Sequence, residues 1–375
     1  MNTDSRPLTP TKTANQRVLL LAGAMEIRGS STQTLTLARR LPEFGFLPTI
    51  VCSQNQLRRS PAGGMPGLTA GLPITVIPQL ASSLLKYPAW ALLAHDLRQA
   101  PPDLIHIERR TELKLGQYLA RVLQRPCVLS MHDYLERGES PPFDFSVLRL
   151  IIAISESVRD ELLKQTAISP ERVRVILGGI TEPAQPPTPI LAPGRIPVIG
   201  TAGPLEAAKG LHFFVEAMPL VLREFPQTQF LIAGAGPEEP ALRRQCAAEK
   251  VATQVTFCPN LVDLTETLQA LDVYVLPSPK QGLGLIMMEA MARERAVVAT
   301  RAGGVYSVID DGCTGLLAAP GDASALAERI LELLRNPLRA REIARAGRES
   351  VLARFPAQNL IEQTAALYRT VLSGG

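Results

Sequence analysis

Apolar residues in this chain come in short runs, separated by longer stretches where they recur every three or four positions. Residues 18–22 (V-L-L-L-A), 49–52, 74–77, 104–107, 128–131 and 150–154 are runs of four or five. Bounded by polar and turn-forming residues, such runs read as strands buried on both faces. Between them, Leu35, Leu37, Ala38 and Leu41 carry helical spacing, as does the stretch 113–123. Ser157 and Asp160 are spaced as a capping box that would open a helix over 158–165. Gly63, Gly64 and Gly67, with Met65 and Pro66 between them, predict a loop. The alternation stops at 181–197, which holds six prolines in seventeen residues. Proline fixes φ and removes a backbone donor, so neither a helix nor a central strand survives there. The alternation then resumes, with strands expected at 198–202, 230–233, 255–257, 273–276 and 297–300. Helical patterns at 212–223 and 241–250 separate them, and 323–334, 338–354 and 358–372 close the chain.

Strand–helix alternation in both halves predicts two doubly wound, Rossmann-like α/β domains. The expected order is a polar tail (1–16), a first domain (17–180), the Pro-rich linker (181–197), a second domain (198–355) and a final helix (356–375) packing back towards the first domain. A length of 375 residues suits two domains at about 150 each. The run from Val18 to Met25 follows sixteen largely polar residues and Arg17, and Glu26 and Arg28 come directly after it. It reads as a buried strand rather than a secretion signal. No apolar run is long enough for a membrane span.

The net charge of +4 is too small to argue for nucleic acid, and none is expected as a partner. Its distribution is uneven. Residues 1–180 hold 21 Lys and Arg against 15 Asp and Glu, whereas the remainder holds 18 against 20. This is either chance scatter over two surfaces or the mark of a first half that meets an anionic acceptor or an acidic membrane surface. The cysteines (Cys52, Cys127, Cys246, Cys258 and Cys313) are odd in number and form no C-x-x-C pair. This argues against a disulfide framework or zinc site and for a reducing, cytoplasmic setting.

The densest chemical signal follows the strand at 273–276, in P-S-P-K-Q-G-L-G-L-I-M-M-E-A-M-A (277–292). Gly282 and Gly284 let backbone approach a ligand where a helix opens, and a helix amino end presents unpaired N–H groups suited to phosphate. Glu289 lies about one turn inside, where a carboxylate can accept from two neighbouring hydroxyls such as a ribose diol.

This segment resembles the E-G-F-G-x-x-x-x-E-A-M-A stretch of glycosyltransferase family 4, retaining enzymes of the GT-B fold. Further motifs follow in the family's order. Gly203 to Gly210 (G-P-L-E-A-A-K-G) is similar to its G-R-L-x-x-x-K-G, and Leu231 to Pro237 to its strand and G-x-G. Ala302 to Val305, Ile309 to Gly312, Gly315 to Leu317 and Pro320 to Asp322 continue the match. In the first half the likeness is fainter, through Pro102 to His106, Ser130 to Asp133, Ile154 to Val158 and residues 173–179.

The resemblance implies GT-B architecture and assigns roles residue by residue. Lys209 would contact the donor diphosphate, with Gly203 in the same motif, and Glu289 would hold the ribose. Gln281 and the backbone of Gly282, Leu283 and Gly284 would face the donor sugar. His132 would stand in the first-domain wall near the reacting centre. Gly29, with Ser30 and Ser31, would face diphosphate or acceptor across the cleft. Gly234 and Gly236 would shape a turn near the nucleotide, and the loop from Cys258 to Leu261 would meet the base. His106 reads instead as a hydrogen-bonded core histidine.

Three positions depart from the family pattern. Gln281 replaces a Glu, so it can hydrogen-bond sugar hydroxyls but supplies no negative charge. Pro204 replaces an Arg, removing a forked phosphate donor, for which Lys280 or Arg28 could substitute. Ala292 to Ala296 (A-R-E-R-A) stands where A-x-G-x-P is usual.

The implied reaction is metal-independent transfer of a sugar from a nucleotide diphosphate sugar to an acceptor hydroxyl, with retention. No cofactor is expected beyond that donor. The setting would be polysaccharide, glycolipid or glycoconjugate synthesis, with the first domain contacting the membrane peripherally. The departures leave a second reading open, a catalytically weakened relative that binds a nucleotide sugar or a partner.

Overall fold

The computed structural model describes residues 15–25, 29–55, 70–136, 138–258 and 264–374. Nearly all of the expected polar tail, and the glycine-rich loop at 63–67, lie outside the described residues. The first domain is a seven-stranded sheet of β1 (Gln16–Met25), β2 (Phe46–Asn55), β3 (Ile74–Val76), β4 (Leu104–Ile107), β5 (Cys127–Met131), β6 (Leu148–Ala153) and β7 (Val173–Val175). Its order is β3-β2-β1-β4-β5-β6-β7, and all pairings are parallel. Helices α1 (Gly29–Arg40), α2 (Lys86–Gln99), α3 (Leu113–Leu123) and α4 (Glu156–Gln165) connect the strands.

The second domain is a six-stranded parallel sheet of β8 (Val198–Ala202), β9 (Gln229–Ala233), β10 (Val255–Cys258), β11 (Val273–Leu276), β12 (Ala296–Thr300) and β13 (Leu316–Ala318), ordered β10-β9-β8-β11-β12-β13. Its helices are α5 (Leu211–Glu224), α6 (Glu239–Ala248), α7 (Leu264–Ala270), α8 (Leu285–Ala292), α9 (Ala323–Arg335) and α10 (Pro337–Arg354), and α11 (Ala357–Leu372) follows. Two doubly wound α/β domains are present, the class that the alternation predicts. No helix among the described residues is long and apolar enough to cross a membrane.

Alternation of side chains explains why the strands read as unbroken apolar runs. Leu19 and Leu21 of β1 pack in one cluster with Leu93 of α2 and Leu115 and Leu119 of α3. Val18, Leu20 and Ala22 point the other way, into a cluster with Leu35 and Leu37 of α1 and Leu360, Ile361 and Tyr368 of α11. With helices on both faces, no position on the strand is left for a polar residue. Thus α11, although it follows the second domain in sequence, covers a face of the first.

Some local expectations need correction. Helix α4 is capped by Ser155, whose Oγ accepts from the Val158 N–H at 3.3 Å, and not by Ser157. Ser157 instead meets the Tyr134 hydroxyl at 2.9 Å. The edge strands β7 and β13 have three residues each, too few to show a period. In the A-R-E-R-A stretch, Glu294 has φ +58°, a left-handed conformation that suits the glycine it replaces.

The Pro-rich segment is fastened along much of its length. Ile190 and Leu191 are buried in the second domain's core. The Leu191 N–H donates to Asp272 at 2.7 Å, and Arg341 donates to the Ile190 and Leu191 carbonyls at 2.9 and 2.6 Å. Arg295, also buried, donates to the carbonyls of Leu271 (2.8 Å), Arg293 (2.9 Å), Gln269 (3.2 Å) and Thr188. The two chain crossings between domains meet at one point. There Ile180 N–H donates to Phe355 O at 2.8 Å, and Ala357 N–H to Ile180 O at 2.9 Å.

Gly179 makes that junction possible, because a Cβ there would lie 2.6 Å from the Ala357 Cα. Gly179→Ala is expected to cost about 1–3 kcal/mol through overpacking against backbone that cannot rotate away. Denaturant unfolding checks it, and an unmoved midpoint would mean that α11 shifts freely.

Candidate active site

In a parallel sheet, the crevice outside the strand carboxyl ends opens where the strand order reverses. In the first domain this is between β1 and β4, and in the second between β8 and β11. The two crevices face each other across one cleft. The first domain contributes Gly29, Ser30, His132 and Asp133. The second contributes the turn after β8 (Gly203, Pro204, Leu205), Lys209, Tyr274, Ser278, Gln281 and the opening of α8 (Gly284 to Met287).

The helix openings explain the glycines. Gly284 caps α8 at φ +88°, a region that disfavours side chains. A Cβ on Gly29 would fall 2.3 Å from the Leu285 Cβ, so the amino ends of α1 and α8 abut. Two sets of unpaired N–H groups and two positive dipole ends therefore meet in one cleft. The Lys209 side chain, 16% exposed, joins them, and its Nζ lies 3.4 Å from Asp133 Oδ1 on the opposite wall.

Other fasteners close the two walls. Ser155 Oγ donates to the Gly282 carbonyl at 2.7 Å. The Tyr134 hydroxyl stands 3.2 Å from the Gln281 carbonyl. Lys280 pairs with Glu161 at 3.1 Å and sits 4.4 Å from the Tyr134 ring centroid. Lys280 is thus engaged in the interdomain seam and does not line the cleft in place of the missing arginine. Arg28 lies outside the described residues.

Of the residues singled out from the sequence, the structure brings Gly29, His132, Gly203, Lys209, Gln281 and Gly284 to the cleft wall. Others are placed differently. Gly282 does not line the cleft. A Cβ there would lie 2.2 Å from the His132 carbonyl oxygen, so this glycine lets the two domains touch. Leu283 is buried in an apolar cluster that runs from Ile154 of the first domain into the second. Gly234 and Gly236 stand one layer back, where side chains would strike the Gly203 and Leu205 carbonyls at 1.9 and 2.3 Å. They support the turn that lines the cleft. Glu289 is half-buried, off the cleft wall but near enough to Tyr274 for its charge to help raise that phenol. Leu261 lies outside the described residues.

Sequence reasoning gave no role to Asp133, Tyr274 or Ser278. Asp133 follows His132 in a motif, but nothing local says that it faces Lys209 76 residues away. Tyr274 reads as one more apolar strand residue. Yet its hydroxyl donates to the Ala202 carbonyl at 3.2 Å, tying β11 to the end of β8 beside the cleft.

His132 is 15% exposed, and burial pushes its imidazole down to about 4, so it is neutral at physiological pH. Gln281 Oε1 is buried and accepts no hydrogen bond among the described residues. The cleft thus offers a cation and helix dipoles on one side, with a neutral imidazole and an amide near them. Such a site can hold a diphosphate and hydrogen-bond a polar ligand attached to it.

Residues 27–182 match the family model described as Glycosyltransferase Family 4, and residues 196–336 the one described as Glycosyl transferases group 1. The chain belongs to glycosyltransferase family 4. Among its relatives, α-maltose-1-phosphate synthase of Mycolicibacterium smegmatis is 33% identical over 246 residues, covering 59% of this chain and 63% of that protein. Glycogen synthase of Mycobacterium tuberculosis is 31% identical over 230 residues, covering 60% of this chain and 55% of its own. The matches therefore span little more than half the length of these curated relatives. Among solved structures, HepE of Anabaena in complex with UDP and glucose superposes with a TM-score of 0.76 at 20% identity, covering 94% of this chain and 99% of its own. Likeness of that kind fixes the fold as GT-B.

For the family 4 chain, the Lys209–Asp133 pair is an anion already seated on the cation of the cleft. Asp133→Asn is expected to tighten binding of inorganic pyrophosphate by up to about fivefold, the worth of one exposed ion pair. Calorimetric titration checks it, and weaker binding would mean that Asp133 serves the ligand rather than competing with it.

Proposed function

We propose that this chain transfers a sugar from a nucleotide diphosphate sugar to an acceptor hydroxyl, with retention at the anomeric carbon. One arrangement carries the reading: the Lys209 ammonium and the amino ends of α1 and α8 converge in the cleft between two GT-B domains. The relatives named as α-maltose-1-phosphate synthase and glycogen synthase, and the neighbour solved with UDP and glucose, support a sugar-nucleotide donor.

In the reaction, the bond from the anomeric carbon to the diphosphate oxygen breaks and a bond to the acceptor oxygen forms on the same face. The departing phosphate oxygen takes the acceptor's proton. Charge grows on the leaving diphosphate, so groups that stabilise it lower the barrier. Lys209 and the helix ends do this without a metal. Neutral His132 and Gln281 hydrogen-bond the sugar or acceptor, and Glu289 accepts from the ribose diol.

The test is a thermal-shift panel of nucleoside diphosphates and nucleotide sugars, followed by turnover with the hits. A saturating ligand should stabilise by about 2–3 kcal/mol, and Lys209→Ala should lower turnover by about 10²–10³. A panel without any shift would favour the weakened, partner-binding reading, and wild-type turnover in the variant would remove Lys209 from the mechanism.

The acceptor is proposed to be lipid-linked. The connection from β3 to α2 leaves the sheet at its carboxyl end, the cleft side, and there Leu84, Leu85, Tyr87 and Leu92 are exposed. Leu84 is 85% exposed, a position where a leucine gains nothing from the fold itself. These side chains suit an interfacial contact. Co-sedimentation with anionic vesicles should be lost in the double variant Leu84→Ser, Leu92→Ser, with the melting temperature unchanged. Equal sedimentation of both proteins would remove the membrane from the reading.

A further inference from the structure

We propose that Glu108 is a positioning residue for His132, its buried carboxyl setting the orientation and tautomer of the imidazole that faces the donor cleft. The inference deepens the transfer reading, since it rests on His132 serving that cleft.

The geometry begins in the sheet. His106 of β4 pairs in parallel register with Val128 of β5. Side chains two apart share a face, so His106 and Glu108 form one polar row and Ser130 and His132 form the next, on the side covered by α1 and α11. These are polar residues on a face otherwise packed with Val18, Leu20, Leu104 and Val128. His106 is held at both nitrogens, with Nδ1 2.6 Å from the Tyr368 hydroxyl of α11 and Nε2 2.8 Å from Ser130 Oγ. Its Nδ1 is also 3.2 Å from Glu108 Oε1. Glu108 Oε2 in turn lies 4.0 Å from His132 Nε2.

His132 forms the partition. It lines the donor cleft and also a small interior cavity with Gln33, His106, Glu108, Ser130 and Thr364. Among the described residues, neither His132 ring nitrogen nor Glu108 Oε1 has a hydrogen-bond partner of good geometry, although all three are buried. Buried polar atoms left this way are costly. The approach of Glu108 Oε2 to His132 Nε2, completed by a small side-chain movement when a ligand meets His132, would satisfy Nε2.

The electrostatics agree. Glu108 is 1% exposed, and burial pushes its carboxyl up to about 8, opposed by the Thr34 hydroxyl of α1. Burial pushes His106 down to about 3 and His132 to about 4. The charged or titratable groups around this pair are His106 and Arg109 from the β4 segment, Asp133 beside His132, and Tyr368 from α11. Asp133 raises His132, Arg109 lowers it, and a backbone contact with Glu108 raises it. Near neutrality, then, Glu108 is a protonated acid that can donate to Nε2, leaving the imidazole proton on Nδ1. Once ionised it can only accept, which favours the proton on Nε2.

The test uses full-length protein carrying ¹⁵N-labelled histidine, with His132→Asn to assign one of the four imidazoles. The wild-type His132 nitrogens are expected to read neutral from pH 5 to 7 and to shift with a midpoint near 8 as Glu108 ionises. Glu108→Gln should abolish that step, and Thr34→Val, which retains the acid, should move it upward. A His132 midpoint near the ordinary histidine value of about 6.5, or a step near 8 that survives in Glu108→Gln, overturns the proposal. This readout needs no turnover, so its failure is distinguishable from failure of the transfer reading. Where turnover is measured, Glu108→Ala should lower kcat by up to about 10²-fold with little change in donor KM, whereas Glu108→Gln, whose amide can still donate to Nε2, should retain most of it. An unchanged kcat in Glu108→Ala also overturns it.

Discussion

The molecule is organised by an electrostatic consequence of chain winding. Every strand–helix unit in a parallel sheet sends a helix amino end towards the strand carboxyl ends. Two such sheets set face to face concentrate those ends on one crevice. Here α1 and α8 approach so closely that their first residues exclude side-chain atoms from each other, as Gly29 against Leu285 shows. The acid that crosses that crevice, Asp133, goes to Lys209. A doubly charged phosphate chain is the complement of such a place.

The fold was legible in the sequence because its signals are redundant. A buried parallel strand is an uninterrupted apolar run, and eleven such runs interleaved with helical patterns leave little room for another class. The edge strands escaped because three residues have no periodicity, and the helix cap at Ser155 was misplaced by two because Ser157 offers the same chemistry. The site was legible only where it is local. Lys209, Gln281 and Gly284 lie in motifs whose spacing carries meaning, and so the cleft wall could be named. Asp133, Tyr274 and Glu108 act through partners on other strands or in the other domain, and a single sequence does not record who their neighbours are. Gly234, Gly236 and Gly282 each mark a close approach of protein backbone, which a single sequence does not tell apart from an approach to a ligand.

The departures from the family pattern take on physical shape. Pro204 lines the cleft without a donor, and Lys280, its nearest substitute in sequence terms, is spent on Glu161 and Tyr134. Lys209 is then the main ammonium contribution from the second domain, supported by backbone rather than by a guanidinium. Arg295, in the stretch where Glu294 and Ala296 replace the family's glycine and proline, donates to four carbonyls and fastens the Pro-rich crossing to the second domain.

That fastening, with the single contact of Ile180 against residues 355–357, has a bearing on biogenesis. The hydrophobic face formed by Val18, Leu20 and Phe46 is covered only by α1 until α11 arrives, and α11 leaves the ribosome after the whole of the second domain. Translation order and folding order are therefore inverted. The later domain can finish first, while the earlier one waits with an uncovered flank that solvent, a chaperone or another nascent chain can reach.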